Sequence, residues 1–233
     1  MDLLDNPALT ELGMVLAVST LLVLYYWLFD HGFLGSQALR SFNQQSRQHW
    51  VAAILTHSGN EILAVQVLRN SIMSATVMAS TCVLLVIATM TLVSDPDKFA
   101  AHWLGDAVTH GVWRIKVGSL LLVIFLAFWH FAQSIRIYGH VGYLLGMPKQ
   151  GKSADSANLR PNYLPAPEQA TALLNTAGHM FSFGNRYFFF SLALALWWFG
   201  FIYFAIGTIS LTAMSWRLES RALLPSKPIT PIK

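Results

Sequence analysis

Arg69, Arg136 and Arg186 each stand at the edge of a stretch without charge, and each has polar company nearby. Gln66 and Asn70 flank Arg69; His130, Gln133 and His140 lie near Arg136 at helical intervals; His179 and Asn185 come just before or beside Arg186. Guanidinium forks grip phosphate or carboxylate through paired N–H bonds, and amides and imidazoles can complete such a pocket. If the three arginines share one membrane level, the set Arg69, Arg136, Arg186, Gln66, Asn70, Gln133, Asn185 and His130 would hold an anionic lipid head or a small anion. The alternative is that each arginine reaches alone to lipid phosphates.

Other chemistries have thinner support. His57 and Glu61 would share a helix face, and His130, His140 and His179 could join them around a metal or haem. A bis-histidine haem needs two histidines opposed at one depth, however, and only His130 falls near an apolar run. Hydrogen-bonded interfacial histidines are the expected state, and neither metal nor cofactor is expected. Gly146-Met-Pro-Lys-Gln-Gly151-Lys152-Ser153 matches the phosphate-loop pattern G-x-x-x-x-G-K-[ST]. That loop works only between a strand and a helix N-terminus, and here an apolar helix precedes it and a proline-rich stretch follows. No Ser-His-Asp or thiol nucleophile set is present, so no catalytic residue is assigned. The lone Cys82 provides neither an intrachain disulfide nor a cysteine metal site.

The elements that must position these residues are apolar. Of 233 residues, 55% are hydrophobic and 11% charged, where soluble domains carry about 25% charged, and the mean hydropathy is +0.49. Lipid is the expected solvent. Four apolar runs, at about 12–29, 62–93, 117–135 and 187–216, are each long enough to cross a ~30 Å hydrocarbon layer at ~1.5 Å per residue. The second run starts on a polar foot (Glu61, Gln66, Arg69, Asn70) and is free of charge from Ile72 to Val93. Its Ser71, Ala75 and Ala79 recur every fourth residue, a spacing that lets helix backbones approach within the protein or across a homodimer. Tyr25, Tyr26 and Trp27 close the first run and Phe128–Phe131 the third, as interfacial aromatics do. The fourth run exceeds the layer, so tilt or a protruding end is expected.

Between the runs, Ser36–Gly59 is amphipathic and reads as a helix at the membrane surface, with a soluble helical hairpin over the bundle end as the alternative. Pro96 ends the second run. The loop from Ile137 to Arg186 carries a Pro-, Gly-, Ser- and Lys-rich middle over Met147–Gln169, and a short amphipathic segment follows Pro165 and Pro167, which suit a helix start. The tail, 219–233, should be extended. The fold expected is therefore an all-α integral membrane protein, a bundle of four transmembrane helices plus one or two amphipathic surface helices, in one domain over 1–218.

The net charge of +4 is spread along the chain, which gives no basic run for nucleic acid and suits anionic lipid heads. Met1–Glu11 is acidic and lacks the positive region of a secretory signal. Lysine and arginine divide evenly between the two sides, so only the first helix, acidic before and basic after, gives a direction. It predicts both termini outside and the long loops in the cytoplasm, in a bacterial inner (plasma) membrane.

At NEILAVQVLRNSIMSATVMAST, and again at LLNTAGHMFSFGNRYFFFSLALALWWFG, the chain resembles the bacterial and plant membrane proteins grouped as domain of unknown function 599. The likeness runs from about the first helix to about Leu218 and is strongest over Val65–Ser80 and Asn175–Trp198. The family's L-R-N-S-I-M block is matched by Leu68, Arg69, Asn70, Ser71, Ile72 and Met73. Its G-x-R-x-Y/F-Y/F opening to the last helix is matched by Gly184, Arg186, Phe188 and Phe189; Asn185 departs from an expected apolar residue, and the GKS stretch looks like a local extension. The resemblance implies several transmembrane helices, implies no activity, and favours Arg69 and Arg186 as family features. The function expected is a non-enzymatic structural or accessory component that packs with anionic lipid, a larger membrane complex or its own copies. A small anion carrier using the arginines is the first alternative, and a redox or metal protein using the histidines the second.

Overall fold

A computed structural model describes residues 12–21, 23, 37–57, 59–94, 110–146 and 167–221. The Tyr25–Trp27 cluster, Pro96, the phosphate-loop-like stretch beyond Gly146 and the tail beyond Arg221 lie outside the described residues. Those described are helical, with no strand among them: α1 (Leu12–Leu21), α2 (Gln37–Thr56), α3 (Glu61–Val93), α4 (His110–Gly146), α5 (Pro167–Leu196) and α6 (Phe201–Arg221). α3 and α4 are long and apolar enough to cross a membrane.

α3 follows the charge-free run closely. Its hydroxyls turn inward on their own helix: Ser71 donates to the Val67 carbonyl, Ser74 to Asn70, Thr76 to Ile72, Thr81 to Val77 and Thr91 to Ile87. Those five hydroxyl protons are thus satisfied within the helix, as suits a helix that could face lipid. A narrow seam of Ala64, Leu68, Ala75, Ala79 and Cys82 is buried, so the small-residue repeat is used inside the protein.

Two helices outrun their apolar stretches. α4 continues past Arg136 and His140 to Gly146, and α5 joins the amphipathic segment after Pro167 to the last apolar run without a break. The loop expected over Ile137–Arg186 is thus mostly helix at both ends. A charge at the edge of an apolar run marks where lipid stops, and nothing in an arginine or histidine side chain stops a helix there.

The chain divides into two compact units. One comprises 44–96 and 117–191, the other 1–43, 97–116 and 192–233. In the first, Val51 and Ile54 of α2, Ala64 and Leu68 of α3, Tyr138, Val141 and Leu145 of α4, and Ala170, Leu174 and Ala177 of α5 form one buried cluster. The segment expected to lie on the membrane surface therefore gives its apolar face to the core. α3 and α4 run antiparallel, because Leu68 meets Gly142 while Val65 meets Gly146. α4 and α5 do likewise: Ser134 donates to the Ala177 carbonyl, and Phe131 lies on Gly184.

In the other unit the single helix expected over Tyr187–Trp216 is a hairpin. α5 ends at Leu196, Trp197–Phe199 forms a 3-10 turn, and Gly200 takes φ 125°, ψ 165° before α6 begins. That conformation is nearly closed to residues with a side chain, so glycine decides where the reversal falls. A Cβ placed on Gly207 would lie 2.6 Å from Leu196 Cδ1 and 3.7 Å from the Ala193 Cα. In a straight helix Ala193 and Gly207 would be about 21 Å apart, so α6 must fold back along α5. The turn is packed with rings: Trp197 and Phe204 are 1% and 0% exposed, and Trp113 lies 5.2 Å from Trp198. Lys116 lies inside this packing, 5% exposed, and donates to the Trp197 carbonyl at 3.2 Å while standing 5.1 Å over that ring. An ammonium at the carbonyl end of α5 answers the negative pole of that helix.

Candidate functional site

The helix registers fix the height of each arginine in the first unit. Arg69 follows Leu68, which meets Gly142, so it stands level with that part of α4. His130 packs on Phe183 at 5.9 Å and on Tyr187 at 5.1 Å, and Arg186 lies between those two on α5. Gly142 and His130 are twelve residues apart on α4, about 18 Å at ~1.5 Å per residue, with Arg136 midway. The three arginines are therefore stepped along the bundle, at three levels. Arg69, Gln66 and Asn70 are exposed on α3, as is Arg136 on α4, and Gln133 and Asn185 are half-buried.

What the structure does bring together is His130, Phe183, Tyr187 and Arg186. The Arg186 guanidinium lies 5.4 Å from the centre of the Phe183 ring. His130 Nδ1 is 2.7 Å from the Leu126 carbonyl, which can only accept, so this nitrogen carries a proton. His130 and Arg186 both pack on the Phe183 ring, about 9 Å inside the Arg136 end of the apolar run at ~1.5 Å per residue.

A second constellation was missed in the sequence. Arg47 of α2, half-buried, donates from Nη1 to Asn175 Oδ1 at 3.3 Å. A Cβ on Gly178 would lie 2.4 Å from Nη2 and 2.6 Å from both Cζ and Nη1, so the flat face of the guanidinium rests where a side chain would be. Its charge also acts on the phenol of Tyr138, which is 8% exposed. Asn175 and Gly178 are three apart and share a face of α5. That spacing was the available signal, but Arg47 reads as one more surface charge until α2 is known to pack on the bundle.

The histidine and acid pair at the start of α3 is separately engaged. His57 Nδ1 faces the Ala53 carbonyl at 3.2 Å, and Glu61 Oε2 accepts the Gly59 N–H at 2.8 Å. Among the described residues no three His, Cys, Asp or Glu side chains gather as a metal site would require.

Residues 14–222 match the family described as protein of unknown function, DUF599. The chain belongs to this family. No curated protein and no solved structure matches it.

In this DUF599 protein the two motif blocks do different work. Leu68 of the L-R-N-S-I-M block is 2% exposed and packs in the four-helix cluster, whereas Arg69 and Asn70 face outward. Gly184 of the second block is the seat of the Phe131 ring, with a hypothetical Cβ 2.7 Å from the nearest ring carbon. One half of each block builds the bundle and the other half presents an arginine.

Proposed function

We propose that this DUF599 protein is a non-enzymatic polytopic membrane protein, a structural or accessory component that packs with a larger membrane complex and with anionic lipid. The observation that carries this reading is the bare flank of α3. Its most apolar stretch is 17% buried, and Leu63, Val67, Met73, Val77, Leu84 and Ile87 are all exposed. So much continuous apolar surface is stable only against lipid tails or another helix.

In this reading α1, α3, α4 and the α5–α6 hairpin lie in the bilayer of the inner (plasma) membrane. The N-terminus is outside and the long loops are cytoplasmic. With α5 and α6 as two separate passes, the C-terminus is cytoplasmic in this reading, opposite to the side expected for the tail. Reporter fusions after Arg221 and at Met1 should then score on opposite faces.

The deciding experiment is gentle extraction from the native membrane followed by native mass spectrometry. A reproducible larger assembly, or retained anionic phospholipid, supports the reading. A chain released by alkaline carbonate without detergent would end it. The anion-carrier reading draws on one observation, Arg186 held at the level of His130 inside the apolar run, since charges in such places commonly mark a path. Anion flux into vesicles carrying the pure protein, lost in Arg186→Gln, would favour that reading over the structural one.

A further inference from the structure

The Arg47 seat carries an inference of its own. Holding a guanidinium flat on a helix backbone costs conformational freedom and desolvation, and an ordinary tie between helices would be expected to use the fork fully. Among the described residues one bond is made, to a neutral amide, out of five N–H donors. Of the acids with described side chains, Glu61 is bound to the Gly59 N–H, and Glu168 stands two turns before Asn175. Neither neutralises Arg47. The Asn175 bond fixes one Nη, and the Gly178 face fixes the plane, so the remaining N–H edge is aligned and still has hydrogens to donate. This is how a site for a planar pair of oxygens is prepared.

Depth narrows the class of ligand. Ala177 is level with Ser134, two residues from Arg136, where the apolar run of α4 ends. The fork therefore sits at the edge of the hydrocarbon layer, the height of phospholipid phosphates. We propose that Arg47, seated on Gly178 and aligned by Asn175, is a binding site for a phosphate group. It rests on the membrane reading only for the source of that phosphate, a lipid head or a soluble anion.

Gly178→Ala isolates the seat, because it displaces the fork without changing any charge. The test uses the full chain in phosphatidylcholine nanodiscs with and without phosphatidylglycerol, and in detergent with inorganic phosphate alone. Wild type should be stabilised and should retain phosphatidylglycerol in native mass spectra. In Arg47→Gln and in Gly178→Ala retention should fall about tenfold or more, Arg47→Lys should fall between, and Arg114→Gln, at an exposed arginine near the start of α4, should match wild type. Stabilisation by inorganic phosphate alone, with the same ranking of variants, assigns the site to a soluble anion. If neither phosphatidylglycerol nor phosphate stabilises wild type, the proposal is overturned whatever the variants do. It is equally overturned if Gly178→Ala binds as wild type does. Failure of these arms in a protein that still needs detergent for extraction would leave the membrane reading standing.

Discussion

Replacing Gly184 and Gly139 by alanine, one at a time, separates helix propensity from packing in the same unit. Both glycines lie inside long helices, where Gly→Ala gains about 0.8–1 kcal/mol from reduced backbone freedom. At Gly139 a Cβ meets nothing within 4 Å, so the gain is expected in full. At Gly184 the Cβ would stand 2.7, 2.8 and 3.0 Å from three carbons of the Phe131 ring. Phe131 is fully buried, with Phe181 edge-on at 5.6 Å, so the ring has little room to retreat. Overpacking of this kind costs about 1–3 kcal/mol. Gly139→Ala should therefore melt about 2–4 °C above wild type, and Gly184→Ala at least about 2–4 °C below Gly139→Ala. Thermal unfolding in one detergent, followed by circular dichroism, is the assay. A double mutant with Phe131→Leu should recover part of the Gly184→Ala loss, since the two sites share one space. If Gly184→Ala melts level with Gly139→Ala, the ring does not lie on Gly184 and the α4–α5 register is wrong.

Other perturbations read other parts of the bundle. Phe131→Ala should lower stability by about 3–5 kcal/mol, the cost of emptying a large buried site, seen as an earlier unfolding transition in the same melts. Gly200→Val places a branched side chain at φ 125° and should cost about 1–3 kcal/mol or shift the turn, which intrinsic tryptophan fluorescence of Trp197 and Trp198 would report. Cys82, 0% exposed, should resist a maleimide in the native protein and react once the protein is denatured; rapid native labelling would mean that the inner seam of α3 is open.

What the sequence disclosed follows from what apolar runs encode. α3 was legible almost to the residue because its polar foot and the apolar run after it together span the helix from Glu61 to Val93. α4 and α5 were legible in part: the runs over 117–135 and 187–216 locate hydrocarbon, while the helices extend to wherever backbone hydrogen bonding stops. The α5–α6 hairpin was hidden for a related reason. Both arms are apolar and the turn is WWFG, so hydropathy is unbroken through a reversal of direction, and only Gly200 amid tryptophans hinted at it. Lys116 is the opposite case: its charge sets the start of the run at 117, yet it is buried against the Trp197 carbonyl at the end of α5.

The arginine at Arg47 shows why site residues were harder to find than helices. A sequence ranks arginines by their neighbours along the chain, and that ranking favoured Arg69, Arg136 and Arg186, which sit beside apolar runs. Fixing a guanidinium depends on what lies across from it, here a glycine and an asparagine more than a hundred residues later. The same device recurs without charge at Gly184, which receives Phe131, and at Gly207, which receives Leu196. In a medium where apolar side chains gain little by meeting one another, contact is won by letting a side chain approach a bare backbone. Gly178, Gly184 and Gly207 are thus the receiving halves of their contacts, and the side chain seated on each one, Arg47, Phe131 or Leu196, determines whether that contact packs helices together or presents a charge.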